Sequence, residues 1–511
     1  MKKCLLLLLV MLAYTQINYA QTRDFAVKGF HLDLRIQVMP MPALKQFALK
    51  LKQEGMNTLI MEWEGTYPFE KHPLIPNRYA YTKAEIVDFI QYCNGLGIDV
   101  IPLQQSFGHV EYILRNEKYK DLREDQKDYS QVCPLQTKQD SLLFTDLYTE
   151  LASTHTSKYI HIGGDETYLL GHDARCQKKV AEEGKSKLYI DYIRMLCNIV
   201  IKLGKRPVMW ADIALKYPEA IKLLPKGTIL VDWNYGWDMN NFGEHKKLVE
   251  SGFEIWGAPA LRSHPDNYFL TEWEKHFKNI RDFLPACRKL GYKGMIMTSW
   301  STSGAYSSVW ETDENLLDLY AIRHVYPISG FNMLLAAYAE SLKSEKPLDI
   351  DGFVTRYAID NYGLNEDQAV EFWHALKTPQ YQVMQGKVIS PASMSVEQLL
   401  AEAGNALNVF NSLNPTKNQE EFKQYGLMMT IRLHYLSYEF IESRVNSPSF
   451  DPAEIPVVLD KLKDLMNRQA RLDAAFDQLN QDYLYPGELQ EESELRNAKA
   501  ELLYNRLSRQ K

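Results

Sequence analysis

Cysteine is scarce in this sequence, with 6 residues in a chain of 511. No CxxC pair is present, and no cluster of cysteine and histidine has the spacing of a zinc site, so the sequence predicts no bound metal. Cys93 and Cys197 lie on apolar faces of predicted helices, where we expect them to pack as small core residues. Cys4 falls in a predicted signal segment, which leaves five cysteines and therefore at least one free thiol.

Other missing features exclude whole classes of protein. There is no basic run and the net charge is -7, so a nucleic-acid partner is not expected. No GxGxxG follows the first predicted strand, which argues against a dinucleotide-binding sheet. After the N-terminal segment, no apolar run is long enough to span a bilayer, so no stable membrane span is expected. Internal repeats and low-complexity stretches are also absent from the sequence.

Residues 1–20 are typical of a secretory signal. Lys2 and Lys3 form a charged start, Leu5–Ala13 is the apolar run, and cleavage is expected after Ala20, although its position stays open. The apolar run is too short to cross a bilayer. We therefore expect an exported protein, either periplasmic or extracellular.

The composition allows a large core and suits sugar binding. The chain is 45% hydrophobic, which is enough for a sizeable core, and its length predicts two or more domains. It contains 31 tyrosines and 9 tryptophans, whose flat rings with one polar edge suit carbohydrate binding.

From residue 27 onward, short β-prone runs alternate with longer helical stretches. Strands are predicted at Val27–Leu34, Thr58–Glu62, Asp99–Leu103, Lys158–Ile162, Pro207–Trp210, Thr228–Asp232, Phe253–Trp256 and Gly294–Thr298. Helices between them are predicted at Pro42–Glu54, Lys83–Leu96, Asp140–Thr154, Lys187–Leu203, His245–Ser251 and Trp273–Leu290. Eight βα units over roughly 300 residues predict a (β/α)8 TIM barrel. A doubly wound open sheet is the alternative fold.

After the barrel the pattern becomes helical, and we predict a barrel domain over residues 21–325 and an α-helical C-terminal domain over 326–511. Helices are predicted at Leu316–Val325, Phe331–Leu342, Ile350–Asn361, Glu366–Leu376, Val396–Leu413, Asn418–Ser443, Pro452–Leu479 and Glu488–Ser508. This second domain shows no catalytic cluster. Its aromatic-rich helices are expected to pack on the barrel or on a second subunit, and the second arrangement would form a homodimer.

Two adjacent acids, Asp165 and Glu166, follow the fourth predicted strand and the glycine pair Gly163-Gly164. Adjacent residues at a strand end point in different directions, so one carboxyl group can stay ionised while the other is kept protonated. The alternative interpretation is a solvated turn whose acids cap a helix. The barrel favours the functional interpretation, because chemistry in this fold collects at the carboxyl ends of the strands.

Polar and indole side chains end most of the other predicted strands. They include Asp33, Arg35, Glu64, His109, His161, Trp210, Trp233, Tyr235, Trp256 and Trp300. Carboxylates handle proton transfer and oxocarbenium charge, while aromatic rings pack on the apolar faces of a sugar. The strand ends together therefore indicate a glycosidase.

The motifs also resemble those of a known family. The stretch His161–Glu166, His-Ile-Gly-Gly-Asp-Glu, resembles the HxGxDE signature of glycoside hydrolase family 20, the β-N-acetylhexosaminidases. Gly108-His109 resembles that family's Gly-His element, with Phe107 where proline is usual. Three further segments, Gly29–Arg35, Glu62–Glu64 and Thr298–Trp300, resemble the hexosaminidase D-like branch, and the similarity covers roughly residues 27–325.

The resemblance implies an exo-acting enzyme that releases terminal β-linked GlcNAc or GalNAc by a retaining, substrate-assisted mechanism without a cofactor or metal. Glu166 would protonate the leaving oxygen and later activate water. Asp165 would orient the 2-acetamido group and stabilise an oxazolinium-like intermediate. Tyr235 would donate to the acetamide carbonyl, with Asn234 or Tyr268 as alternatives. Trp210, Trp233 and Trp300 would surround the N-acetyl methyl group.

Four residues, Arg35, Asp33, Glu64 and His109, would bind sugar hydroxyls or hold the acid pair, and His161 would touch the substrate or point into the barrel. Two other functions stay open. One is a conventional retaining β-glycosidase that uses Asp165 and Glu166 as nucleophile and acid. The other is a non-catalytic glycan-binding protein, which would need the aromatic residues but not the acid pair.

Overall fold

The computed structural model describes residues 24–236, 239, 241, 243–263, 266, 269–301, 325–377, 381–384, 386–390 and 393–509. The predicted signal segment, Tyr268 and all but the last residue of the helix predicted at Leu316–Val325 lie outside the described residues. No helix among the described residues is long and apolar enough to cross a membrane.

Parallel strands close into a barrel. The described strands are β1 Val27–Asp33, β2 Thr58–Glu62, β3 Asp99–Leu103, β4 Arg123–Asp125, β5 Asp128–Val132, β6 Tyr159–His161, β7 Arg206–Trp210, β8 Ile229–Trp233, β9 Glu254–Ala258, β10 Ala260–Arg262, β11 Gly294–Ser299, β12 Gln382–Met384 and β13 Lys387–Ser390. The barrel runs β1-β2-β3-β6-β7-β8-β9-β11, and pairing of β11 with β1 closes it. The predicted (β/α)8 barrel is confirmed.

The barrel strands form where apolar runs are buried on both faces, as a parallel sheet covered by helices requires. All five residues of β2 are buried, and β2 and β3 have the predicted bounds. The sequence did not predict β10. Pro259 interrupts the ladder after β9, but its carbonyl still accepts from Thr298 of β11 at 2.7 Å, so the strand continues past the proline.

Helices surround the barrel and then form the rest of the chain. They are α1 Met41–Gln53, α2 Lys83–Gly95, α3 Glu111–Leu114, α4 Thr137–Thr154, α5 Ala174–Glu183, α6 Lys185–Lys202, α7 Asp212–Lys216, α8 Pro218–Ile221, α9 His245–Glu250, α10 Trp273–Leu290, α11 Asn332–Lys343, α12 Ile350–Tyr362, α13 Glu366–Leu376, α14 Val396–Asn411, α15 Gln419–Val445, α16 Ile455–Asn480 and α17 Pro486–Ser508. Capping boxes at Thr82, Asn365 and Ser395 begin α2, α13 and α14. The helical character predicted after residue 325 is confirmed for the described residues, apart from the β12–β13 hairpin.

The C-terminal helices pack directly on the barrel. The ring of Trp273 on α10 lies 5.9 Å from Phe331 and 5.6 Å from Tyr425 of α15. The Tyr338 hydroxyl of α11 donates to the Gly29 carbonyl of β1 at 3.1 Å. Aromatic burial and a satisfied strand carbonyl therefore join the two parts, while the domain boundary at 325/326 stays a prediction.

Trp273→Ala is expected to lower the free energy of unfolding by about 3–5 kcal/mol, because it removes a buried indole between the barrel and the helices. Urea unfolding followed by circular dichroism measures this change. Val370→Ala on α13 is the matched control, since Val370 is 55% exposed and should change stability by less than about 0.5 kcal/mol. Equal stability of the two variants would contradict the packing described here.

Candidate active site

The acid pair follows β6 through a backbone turn that leaves little room for side chains. Gly163 and Gly164 have φ of 71° and 93°, and a Cβ at Gly163 would collide with the side chain of Gln105. A Cβ at Gly108, in the turn after β3, would lie 2.5 Å from the Asp165 carbonyl oxygen. These glycines let the turns after β3 and β6 touch, and this contact brings His109 to the acid pair.

His109 bridges both acids. Its Nε2 atom lies 3.1 Å from Oε2 of Glu166 and 3.6 Å from Oδ2 of Asp165. The hydroxyl of Tyr168 donates to the other Glu166 oxygen at 2.9 Å. Oδ1 of Asp165 is buried and has no hydrogen-bond partner among the described residues. A ligand can therefore donate a hydrogen bond to this oxygen without displacing a protein donor.

Burial and neighbouring charges shift the pKa values of His109, Asp165 and Glu166 in different directions. Burial opposes a charge on His109, but the neighbouring Asp165 and Glu166 outweigh it and raise the pKa of His109 to about 10. Burial raises the pKa of Asp165 to about 8. Burial also opposes ionisation of Glu166, yet hydrogen bonds from His109 and Tyr168 lower its pKa. At neutral pH the site therefore holds an imidazolium, a protonated Asp165 and an ionised Glu166.

Backbone strain collects at the same place. Glu64, His109 and Glu166 all have positive φ, at 44°, 55° and 46°, in a region that residues other than glycine rarely adopt. Such conformations persist only where the surroundings hold them, and they cluster at functional sites. The strain fixes where these three side chains project.

A second buried carboxylate, Glu62, organises the barrel interior beside the pair. It accepts from Gln105 Nε2 at 3.1 Å and lies 2.8 Å from His31 Nε2. Burial opposes its charge, but Arg35 and His31 together lower the pKa of Glu62 to about 2. The sequence analysis gave His31 and Gln105 no role, and only the fold shows that they hold Glu62.

Arg35 and Asp33 form an ion pair at the end of β1. The Nε atom of Arg35 donates to Asp33 Oδ2 at 3.1 Å, and the same oxygen accepts from the Ser301 amide at 2.9 Å. The guanidinium also lies over the Trp300 ring, 5.3 Å from its centroid. Arg35 is thus held rigidly beside the aromatic wall, and its contact with a sugar stays a prediction.

Aromatic side chains form one wall. Trp210 lies 5.7 Å from Trp300, and the Trp300 indole donates to the Tyr235 hydroxyl at 2.9 Å. Trp233 packs 5.0 Å from Tyr235 and donates to Asp212 at 3.4 Å. Because Asp212 also accepts the Glu166 amide at 3.2 Å, it connects this wall to the acid pair. The fold thus brings together the three tryptophans and the tyrosine predicted around an acetamide group.

Two further acids lie buried near Arg35. Burial and the charge of Glu62 raise the pKa of Glu64 well above its usual range. Burial raises the pKa of Glu111 to about 7, and neither of its carboxyl oxygens has a hydrogen-bond partner among the described residues. The sequence analysis missed Glu111, although it lies two residues after His109. Asp212 and Tyr168 were also given no role.

Three other residues named from the sequence are held by contacts outside the acid pair. Trp256 had been predicted at the same rim, but its indole donates to Glu254 at 3.0 Å and packs on Tyr159, the first residue of β6. It therefore lies at the opposite end of the barrel, and that expectation was wrong. His161 is fully buried, and its Nδ1 atom accepts from the Gly163 amide at 3.1 Å. Asn234 closes a turn by accepting from Gly236 at 2.9 Å.

His109→Gln is expected to flatten the pH dependence of stability. The histidine pKa is about 6.5 in an unfolded chain and about 10 here, so the imidazolium stabilises the fold fully below pH 6.5. That contribution is lost as the pH rises toward 10. Urea unfolding at a series of pH values across this window should give a steeper loss for the wild type than for the variant. His172→Gln, at an exposed loop position, should keep the wild-type slope, and a His109→Gln slope equal to it would contradict the assignment.

Comparison with known proteins identifies the family. The Glycosyl hydrolase family 20 catalytic domain matches residues 33–315. Hexosaminidase D of Bos taurus is 27% identical over 299 residues, which cover 55% of this chain and 86% of the bovine protein. Hexosaminidase D of Homo sapiens is 26% identical over 303 residues, or 56% of this chain and 62% of the human protein, so the chain spans less than two thirds of that relative. The structure of a β-N-acetylhexosaminidase from Bacteroides fragilis NCTC 9343 has 19% identity, covers 65% of this chain and 69% of that one, and gives a TM-score of 0.49. Since the family match spans more than half of its length, this chain belongs to Glycosyl hydrolase family 20 and is a glycoside hydrolase.

Proposed function

We propose that this chain is an exo-β-N-acetylhexosaminidase that hydrolyses terminal β-linked GlcNAc or GalNAc with retention of configuration. Family membership and the similarity to proteins named Hexosaminidase D support the activity. The observation that carries the proposal is the acid pair itself, since Asp165 and Glu166 share one imidazole and Asp165 keeps a buried oxygen without a partner among the described residues.

In this proposal Glu166 is the general acid and base. One of its oxygens lies 3.1 Å from His109 and the other accepts from Tyr168, so its orientation is fixed by two donors. It is also the more solvent-exposed member of the pair, with a side chain 25% exposed against 7% for Asp165. A group that protonates a leaving oxygen and then activates water has to reach both the aglycone and solvent.

Asp165 is proposed to hold the 2-acetamido group, whose carbonyl oxygen attacks the anomeric carbon in place of an enzyme carboxylate. Its unpartnered Oδ1 can accept the amide N–H. Tyr235 is proposed to donate to the acetamide carbonyl, and the indoles of Trp210, Trp233 and Trp300 to enclose the methyl group. A sugar with only a hydroxyl at this position lacks part of the catalytic apparatus.

Substrate binding has to redistribute the protons for these roles. Before binding, Asp165 holds a proton and Glu166 carries the negative charge. An amide N–H donor at Asp165 favours its carboxylate form, and a negative Asp165 next to Glu166 raises the pKa of Glu166. The acetamide group therefore prepares its own acid catalyst, which gives the site a second reason to prefer N-acetylated sugars.

We also propose export of the mature chain and homodimerisation through the aromatic-rich C-terminal helices. Export is supported by the signal pattern of residues 1–20, and dimerisation by the aromatic composition of those helices. Both are independent of the catalytic proposal.

Hydrolysis of aryl β-N-acetylglucosaminide and aryl β-glucoside by residues 21–511 tests the proposed chemistry. We expect activity on the acetamido sugar alone, and a loss of about 10²–10⁴-fold in kcat for Glu166→Gln and for Asp165→Asn. Glu494→Gln, an exposed acid of α17, is the matched control and should keep wild-type rates. Hydrolysis of the plain glucoside would instead make Asp165 a nucleophile. Binding of the sugar without turnover would favour a glycan-binding protein.

Tyr235→Phe is expected to lower kcat on the acetamido substrate by about tenfold to hundredfold, because it removes one hydrogen bond to a carbonyl that gains charge in the transition state. KM should change much less. Steady-state kinetics measure both constants, and Tyr362→Phe, whose hydroxyl binds Glu421 among the C-terminal helices, serves as the control. An unchanged kcat in Tyr235→Phe would return the role to Asn234 or Tyr268.

A further inference from the structure

A second cluster of ionisable side chains lies on the loops beyond β3 and β6, apart from the acid pair. It consists of Glu124 on β4, Cys133 directly after β5, and Cys176 in the first turn of α5. All three are buried, and one ligand atom from each lies within 4.8 Å of the others. The two sulfur atoms are 3.6 Å apart, and the Cys176 sulfur lies 3.3 Å from Glu124 Oε2.

These separations match the edges of a tetrahedral zinc site. Zn–S bonds of about 2.3 Å place two sulfurs about 3.8 Å apart, and a Zn–O bond of about 2.0 Å places oxygen about 3.5 Å from sulfur. A disulfide would need the sulfurs at about 2.0 Å. The observed 3.6 and 3.3 Å are close to the first geometry and far from the second.

The charge balance of the cluster also favours a bound cation. A carboxylate and two thiols lie together in a buried space, and their ionised forms need a cation. Among the residues that the structure describes, Arg175 is the only cationic side chain that contacts the cluster, with one nitrogen 3.8 Å from the Cys133 sulfur. Its side chain is 54% exposed, so it can move aside.

The backbone around the cluster is already organised. Oε1 of Glu124 accepts from the amides of Gly171 at 3.0 Å and Asp173 at 3.1 Å, which fixes the carboxylate and leaves Oε2 for the cluster. Such outer contacts orient the ligands of metal sites. Asp173 itself accepts from Arg175 at 2.9 Å, so its carboxylate lies beside the guanidinium that contacts Cys133.

We propose that Glu124, Cys133 and Cys176 bind one Zn²⁺ ion, with a water molecule as the fourth donor. The ion has a structural role. It fastens the β4–β5 hairpin to the start of α5 and so closes the loop that carries Tyr168, the donor to Glu166. The sequence did not show this site, because Cys133 and Cys176 are 43 residues apart and Glu124 and Cys176 are 52 apart.

Metal analysis of the full chain purified without chelator tests the proposal. We expect one zinc per chain by mass spectrometry of the elements. After removal of zinc with a chelator, titration with Co²⁺ should give the near-ultraviolet band of thiolate-to-cobalt charge transfer and the visible bands of a tetrahedral site. Chelation should also lower the thermal midpoint, and zinc should restore it.

Variants separate this cluster from the other cysteines. Cys133→Ser and Cys176→Ser should lose zinc and the cobalt band, while Cys93→Ser, in the buried face of α2, should keep both. Because a serine variant can also fail to fold, Cys176→His is the conservative replacement, and it should keep zinc with a weaker cobalt band.

Three results would overturn the proposal. One is wild-type protein that binds neither zinc nor cobalt at micromolar concentration although its cysteines all react with a thiol reagent after denaturation. The second is an intact mass lower by two hydrogen atoms together with a cross-linked peptide pair containing Cys133 and Cys176, which would show a disulfide. The third is a cobalt band that persists in both serine variants, which would place the metal elsewhere. None of these readouts depends on the proposed glycosidase activity.

Discussion

The mouth of the barrel gathers more carboxyl groups than the described cations there can balance, and this constraint shapes the rest of the site. The carboxyl groups are Asp33, Glu62, Glu64, Glu111, Asp165, Glu166 and Asp212. The described basic side chains near these acids are fewer: Arg35, His109, His31 beside Glu62, and Arg262 near Asp33. Because a buried charge is stable only with a partner, the cations keep some acids ionised and the others have to hold a proton. Glu62 and Glu166 have lowered pKa values, whereas burial raises those of Glu64, Glu111 and Asp165.

Such an arrangement has to be imposed by the backbone, because repulsion between the acids would otherwise separate them. The close contact at Gly108 allows the turns after β3 and β6 to meet, and positive φ at His109 and Glu166 directs their side chains toward each other. The carboxyl-terminal parts of β2 and β3 beneath are buried and cannot relax to relieve the strain. A rigid barrel with strained turns therefore holds groups in a geometry that none of them would adopt alone.

The sequence predicted the barrel because each strand is a short apolar run, as burial on both faces of a parallel sheet requires. This signal lies within a few consecutive residues. It predicted Asp165 and Glu166 because they follow such a run directly. It failed where the decisive contact is distant in sequence: Trp256 looked like a rim residue, yet its position in β9 sends it to the other end of the barrel. Glu111 carries no motif of its own, and the meeting of Cys133 with Cys176 depends on two loops that only the fold brings together. Periodicity predicts elements, but it does not predict which loops touch.

The C-terminal helices also help to hold the residues of the site in position. Glu492 of α17 accepts from Gln37 at 3.1 Å, and Gln37 in turn accepts from Arg262 at 2.7 Å. Gln37 lies two residues after Arg35, so this buried polar chain runs from the last helix to the loop that carries a cation of the site. Each member is nearly fully buried, so removing one takes a buried hydrogen bond from its neighbour, at a cost of about 1–3 kcal/mol. The helices thus fix the end of β1 from outside while Asp33 fixes it from within, and the position of Arg35 depends on both.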